Sequence, residues 1–371
     1  LDIRAIRKDF PITERKIYLN HASTGPPSKQ TLNALTNMIE LWRDEGNCWE
    51  VGLQKIAEAK MLFAKLINAS ISEIAVIPNT STGVNIVANL FDYNRDHNIV
   101  LNDLEFTANF YPWLNKCQLK VLKNKNGIIP IEDYERAIDD NTIVVPVSHV
   151  EYGNGFRHDL HALGELVHEH GGYLFVDGIQ SVGAIKVDVN RDNIDFMALG
   201  CQKWLLGPSS TGFLYIKEEL IDKYLPIYQG WLSVENPNDY DIYNFKLARS
   251  ASRFELGSPN FIGFSGAVEA LKMILKLGIE EIEARILNLT DHLIELITER
   301  FEQLELQTPL ARQYRAGILN VRYRTSTLAS SVVDTLAASN IVVSSRMAGV
   351  RISPHFYNTE AELDFLVSKL P

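Results

Sequence analysis

From about residue 73 onward, short apolar runs alternate with amphipathic stretches, and this rhythm limits the fold more than any other feature of the chain. The apolar runs predict strands over 73–77, 98–101, 120–122, 142–147, 173–176, 195–199 and 212–216. Helical periodicity fills most of the gaps, as at 83–90 and 160–170, and also covers 29–67, where Leu32, Leu35, Met38 and Trp42 share a face. Apolar strands separated by helices imply a mostly parallel sheet covered on both faces, an α/β architecture. Such sheets bind ligands beyond the carboxyl ends of their strands. After about residue 260 the rhythm changes: helices over 264–277 and 280–303, a strand over 317–322, a helix over 329–338, strands over 341–344 and 350–353, and a last helix from Thr359. The expected organisation is a large domain over 15–257 and a smaller C-terminal α+β domain over 258–371. The turn-rich Glu255-Leu256-Gly257-Ser258-Pro259 marks the boundary, and residues 1–14 are expected to pack with the small domain.

Composition narrows the function classes. The 371 residues are 46% hydrophobic and 22% charged, as in globular proteins. Thirty-six Lys and Arg against 46 Asp and Glu give a net charge of −10, a poor match to wrapping nucleic acid or coating an anionic membrane. No uncharged apolar run reaches the roughly 18 residues that span a bilayer. The first ten residues alternate charge with Ile and Ala and hold no signal-peptide core. Cys48, Cys117 and Cys201 are too few and too scattered for a disulfide framework or a metal site. The expectation is a cytoplasmic protein with no membrane or nucleic-acid partner. His158, His161, His168 and His170 are close in sequence, but their spacing resembles no zinc site, and the last two suit a helix C-terminus before Gly171-Gly172. No metal is expected.

Three stretches carry chemistry. In Tyr173-Leu174-Phe175-Val176-Asp177-Gly178, an apolar strand ends in an acid at the edge where ligands bind. Asp177 would hold a metal, accept from a ribose or pair with a protonated ring nitrogen, unless it only caps the following turn. The next strand runs into Gly200-Cys201-Gln202-Lys203-Trp204, a lone lysine among apolar neighbours. Burying an ammonium is costly, whereas a neutral amine suits Schiff-base chemistry; the bland alternative is a lysine snorkelling from a strand end. Pro78-Asn79-Thr80-Ser81-Thr82-Gly83 is a hydroxyl-rich turn opening a helix, the kind of terminus that cradles phosphate, although Thr or Ser at an N-cap is common. An acid, a lysine one strand later and an upstream phosphate cradle together describe pyridoxal 5′-phosphate.

With these residues in place, the sequence resembles the class V aminotransferases of pyridoxal-phosphate fold type I, a group that includes cysteine desulfurases, kynureninases and isopenicillin N epimerase-like proteins. The resemblance covers nearly the whole chain. It implies that Lys203 holds the cofactor as an aldimine, Asp177 faces the pyridine nitrogen, and Gln180 donates to the phenolic oxygen. It puts Thr80, Ser81 and Thr82 on the phosphate-binding turn, with Ser81 the main side-chain contact, and Gln202 beside the Schiff-base lysine. Phe106, in Glu105-Phe106-Thr107-Ala108-Asn109, takes the ring-stacking position. Asn20, His21 and Ala22, in Tyr18-Leu19-Asn20-His21-Ala22-Ser23, fall on the substrate-side loop, and Arg351 would clamp the substrate α-carboxylate. Ser258 corresponds to a hydroxyl that reaches the neighbouring subunit's cofactor, which implies a homodimer with shared sites.

The departures from the family pattern are as informative. Desulfurases have His where this chain has Phe106, and Ser-Gly-His-Lys where it has Gly200-Cys201-Gln202-Lys203. They carry a catalytic Cys on the loop before the carboxylate-binding Arg, whereas here Ser344-Ser345-Arg346-Met347-Ala348-Gly349-Val350 leads directly into Arg351 and no Cys follows Cys201. Without that thiolate there is no persulfide acceptor. Tyr152 stands where many relatives have Asn and points to a different substrate. The resemblance implies an enzyme acting on a small α-amino acid through a quinonoid common to several outcomes, with aminotransferase-type chemistry first and C–S or β-lyase or epimerase chemistry as alternatives. A non-catalytic cofactor-binding or scaffolding relative is the alternative from another class.

Overall fold

The computed structural model describes all residues, Leu1–Pro371. The chain forms thirteen strands: β1 Ile17–Tyr18, β2 Ile74–Ile77, β3 Asn98–Asn102, β4 Gln118–Leu122, β5 Thr142–Ser148, β6 Tyr173–Asp177, β7 Phe196–Gly200, β8 Gly212–Ile216, β9 Leu304–Leu306, β10 Leu319–Tyr323, β11 Ile341–Val342, β12 Ser344–Arg346 and β13 Gly349–Ile352. Seven of them make the central sheet, in the order β2-β8-β7-β6-β5-β3-β4. The sheet is mostly parallel as expected, and β8 alone runs against its neighbours β2 and β7.

Alternation along these strands explains the layers. Val145, Val147, Leu174, Val176, Met197 and Leu199 face one core, and Val144, Phe175, Phe196 and Ala198 face the other. Because both faces are buried, the strands read as continuous apolar runs in the sequence. The larger core lies under helices Trp49–Ile67, Leu160–Glu169 and Phe261–Leu277, and the smaller one under Thr80–Ala88.

The C-terminal unit has its own four-stranded sheet, β12-β13-β10-β9, and a separate core that includes Leu293, Leu319, Val332, Ile352 and Leu363. Helix packing reaches across the expected 257/258 break. Helix Phe261–Leu277 packs against Lys29–Glu45 and Trp49–Ile67 and sends Phe264, Val268 and Leu271 into the large core. Helix Ile279–Arg300 then crosses from one core to the other, since Ile286 belongs to the first and Leu289 to the second.

The N-terminus ties to the C-terminal segment. Phe10 stacks on Tyr357 at 4.1 Å, Arg7 pairs with Glu362 at 2.8 Å, and β1 runs parallel to β11. The strand expected over 341–344 is in fact two: β11 pairs with β1, and β12 turns into the hairpin with β13.

Candidate functional site

The carboxyl ends of β5, β6 and β7 lie side by side, with Ser148 opposite Asp177 and Asp177 opposite Ala198. Asp177 is therefore the last residue of a central strand and is 2% exposed. Its Oδ1 accepts from the Ile179 N–H at 2.9 Å. Burial pushes its carboxyl up to about 6, against the opposing effects of that hydrogen bond and of the Lys203 charge.

Lys203 follows β7 on a loop that closes on itself, the Gly207 N–H donating to the Cys201 carbonyl at 2.9 Å. Two glycines grip this loop. Gly25 donates to the Gln202 carbonyl at 2.7 Å and lies so near the Lys203 carbonyl that any side chain there would collide with it. Gly183, at φ +99°, packs in the same way against the Trp204 backbone. The loop thus holds the lysine amine in a fixed place, partly buried. Desolvation lowers that amine to about 8; Asp177 opposes the shift, while the charges of Arg351 and Arg346 add to it. The amine stands 6.0 Å from the centre of the Phe106 ring. Phe106 is 43% exposed and meets Tyr152 edge-on at 5.0 Å.

The loop bearing Phe106 is anchored by its neighbour. Glu105 is buried, accepts from the Ser148 N–H at 2.6 Å and the Ser148 hydroxyl at 2.7 Å, and takes a further bond from Asn109 at 3.0 Å. Burial raises its carboxyl well above the usual range. Gln180 is held from both ends: Nε2 donates to the Ala22 carbonyl at 2.9 Å, and Oε1 accepts from Trp204 Nε1 at 2.8 Å. One N–H of that amide remains for another partner.

Arg351 lies on β13, 2% exposed. Its guanidinium donates to Ser23 Oγ at 2.6 Å, the Tyr152 carbonyl at 2.8 Å and Ser344 Oγ at 3.3 Å. All three acceptors are neutral, and burial together with the Arg346 charge lowers it to about 10. A buried cation without a counter-ion is a site waiting for an anion.

Helix Thr80–Ala88 starts directly beyond β2, and Gly83 lets it press on Ala198 of β7. Asn79 caps it by accepting from the Thr82 N–H at 2.9 Å, which leaves Ser81 exposed at the terminus and Thr80 buried. This helix begins three residues earlier than the sequence expectation of 83, because the cap lies in the polar turn and not at the first apolar position.

Of the remaining expected residues, Gln202 and Asn20 each hold a buried side-chain oxygen with no partner. Ala22 meets the site through its carbonyl bond to Gln180. His21 is fully buried and its ring is spent on the protein, Nδ1 on the Ser353 carbonyl at 2.8 Å and Nε2 on the Tyr357 hydroxyl at 2.6 Å, so it braces the loop and leaves no nitrogen free for a substrate. Ser258 is exposed on the turn before helix Phe261–Leu277. Cys201, the thiol nearest Lys203 in sequence, points into the core, where burial pushes it up to about 12. Sequence reasoning passed over Ser23, Ser344 and Trp204. Ser23 closes the quoted Tyr18–Ser23 stretch, and the pairing of Ser344 with Arg351 needed the hairpin register.

The family described as Aminotransferase class-V matches residues 17–366. The chain belongs to this family. It is 28% identical over 367 residues to an uncharacterized aminotransferase, YcbU, of Bacillus subtilis, covering 98% of this chain and 96% of that one. It is 31% identical over 314 residues to a probable cysteine desulfurase of Pyrococcus abyssi, covering 81% and 76%. Among solved structures, it superposes on the apo structure of a cysteine desulfurase from Thermococcus onnurineus with a TM-score of 0.90 at 26% identity, covering 98% and 96%. The fold is that of the pyridoxal-phosphate fold type I enzymes, as the class V resemblance implied. No helix is long and apolar enough to cross a membrane.

Proposed function

We propose that this class V family member is a pyridoxal 5′-phosphate enzyme that works at the α-carbon of a small amino acid. The observation that carries the reading is the desolvated Lys203 amine, close enough to the buried Asp177 carboxylate to feel its charge and 6.0 Å over the Phe106 ring. The residues fit the cofactor on structural grounds. The amine has a depressed pKa, the Phe106 ring is partly exposed beside it, and a helix terminus with an exposed Ser81 lies at the same sheet edge. The unpartnered oxygens of Gln202 and Asn20 add polar capacity that the protein alone leaves unused.

When bound, the cofactor supplies an aldehyde that condenses with amines and a ring that draws electrons from the substrate α-carbon. Lys203 would hold that aldehyde, and Asp177 would keep the ring nitrogen protonated. Gln180 would give its remaining N–H to the phenolic oxygen, Thr80, Ser81 and Thr82 would take the phosphate, and Phe106 would cover the ring. Arg351 orients the substrate by its α-carboxylate, which sets the bond to be broken at a defined angle. The free Lys203 amine would be the group that moves the α-proton. Its pKa of about 8 leaves part of it neutral near neutral pH, as a base requires.

Aminotransferase-type turnover is our first reading. The desulfurase relatives favour a second, cleavage of a C–S bond by β-elimination, which needs no cysteine on the β12–β13 turn. A homodimer is part of the proposal, supported by exposed Ser258 and by the exposed Leu225, Ile227, Tyr240, Ile242 and Tyr243 nearby in sequence. Three unpaired cysteines accord with a cytoplasmic setting.

The test is direct. Purified protein is expected to be yellow, to bleach with borohydride and keep the reduced cofactor covalently attached, and as Lys203→Ala with cofactor removed to stay colourless and carry no such label. With L-amino acids, appearance of the matching keto acid marks transamination, and release of ammonia with pyruvate and a thiol marks elimination. A wild type that stays colourless after reconstitution overturns the enzyme reading and leaves a scaffolding role.

A further inference from the structure

Arg346 lies five residues before Arg351, on the other strand of the same hairpin. The β12–β13 register pairs Ser344 with Arg351 and Arg346 with Gly349. Side chains alternate along a strand, so Ser344, Arg346 and Arg351 share one face of this sheet. The bond from Arg351 Nε to Ser344 Oγ shows that the face is the one turned to the site. Arg346 is therefore the diagonal neighbour of Arg351, a spacing that long side chains bridge easily.

The base of Arg346 is fixed. Asn320, fully buried, donates to the Arg346 carbonyl at 2.9 Å and to the Gly153 carbonyl at 2.9 Å. It thereby ties the hairpin to the segment whose Tyr152 carbonyl accepts from Arg351. Met347 seats its sulfur where a side chain at Gly153 would go, and so closes the same joint. Arg346 is an exposed residue, and its guanidinium donates only to the neighbouring Ser345 carbonyl, at 2.7 Å.

Charge makes the arrangement unusual. Lys203, Arg351 and Arg346 are close enough for the charge of Arg346 to disfavour protonation of the other two. Neither arginine has a carboxylate partner in the chain, and Asp177 is the carboxylate that faces Lys203. One substrate carboxylate would neutralise Arg351 and leave Arg346 unanswered.

We propose that Arg346 and Arg351 form a two-guanidinium clamp that selects an α-amino acid whose side chain ends in a second anion, a carboxylate or a sulfonate. Arg351 takes the α-carboxylate and Arg346 the distal group. This rests on the reading that Arg351 receives the α-carboxylate, and it narrows the substrate from a small amino acid to a dianionic one.

Succinate and its half-amide succinamate test the clamp without any chemistry at an amine, by calorimetric titration of the protein with and without bound cofactor. Succinate is expected to bind at least about tenfold more tightly than succinamate, as a charge-assisted bond adds to the common carboxylate contact. Arg346→Gln, an exposed position, should abolish that ratio while leaving succinamate affinity and cofactor uptake unchanged. Arg351→Gln should weaken both ligands. A ratio near one in the wild type, a ratio that survives Arg346→Gln, or no binding of either ligand overturns the inference. Failure to take up the cofactor overturns the proposed function instead, and the cofactor-free titration still decides the clamp.

Discussion

At the scale of single residues, the site works through unequal burial. Asp177 and Lys203 are of opposite charge, yet burial pushes the carboxyl up and the amine down, each toward its neutral form. Each also holds the other partly charged, since the carboxylate raises the lysine against burial and the neighbouring arginines. Asp177→Asn should therefore lower the Lys203 pKa further below about 8. The measurement is the rate at which a simple aldehyde is trapped on Lys203 by borohydride in cofactor-free protein, followed against pH. The wild-type midpoint is expected near 8, well under the 10.5 of an ordinary lysine, and the variant's midpoint should be lower still. An unchanged midpoint would show that Asp177 does not act on the amine. These two residues were legible in the sequence because a charge at the end of an apolar strand stands out. Arg346 was not, since the stretch holding it drew attention only for its missing cysteine.

At the scale of elements, legibility followed burial. The inner strands β3, β5, β6, β7 and β8 of the central sheet were readable because side chains on both faces are apolar, so each stands out against its polar connections, whereas edge strand β4 carries Gln118 and Lys120 and is only half-buried. Strand direction left no such trace, and β8 proved antiparallel. Two-residue β1 and β11 and three-residue β9 are too short for any period to show. The β12 half of the β12–β13 hairpin hides for a different reason, while β13 was expected over 350–353. The hairpin's two-residue turn is Met347-Ala348, at φ 49° and 59°, with neither of the residues that usually announce such a turn. Left-handed backbone costs about 1 kcal/mol or more for a residue with a Cβ. Ala348→Gly should accordingly stabilise the protein by about 0.5–1 kcal/mol, after the added freedom of the unfolded glycine is subtracted. An upward shift of the urea midpoint at constant slope would register it. A lower midpoint would mean that the Ala348 side chain makes a contact worth more than the strain it carries.

At the scale of the whole molecule, three remote segments meet behind the lysine loop. His355 Nε2 lies 3.0 Å from the Trp204 carbonyl, one residue past Lys203, and the His355 ring meets His21 at 5.1 Å. His21 in turn bonds to Ser353 and Tyr357, so the N-terminal loop, the lysine loop and the C-terminal segment share one buried joint. Both imidazoles are kept neutral chiefly by burial, and His355 is lowered from 6.5 to about 4. Between those values the unfolded chain binds a proton that the folded chain refuses, so stability rises with pH across this window and is lost as pH falls from 6.5 toward 4. The full effect for His355 is about 3 kcal/mol at one pKa unit per 1.36 kcal/mol. Glu105, Glu151 and Asp177 are shifted upward and act in the opposite sense, favouring the folded state on acidification. The bare pH profile therefore mixes both signs, and the difference between two proteins separates them. His355→Gln keeps a donor for the Trp204 carbonyl and removes the titrating ring. It also removes the charge that disfavours protonation of His21, which shifts the balance the same way. Thermal unfolding of the two proteins should diverge as pH drops below 6.5, with the variant losing less stability down to pH 4, even if it starts lower at pH 7. Parallel curves would mean that the joint opens to water before the folded state loses its stability, and that His355 protonates inside the native protein.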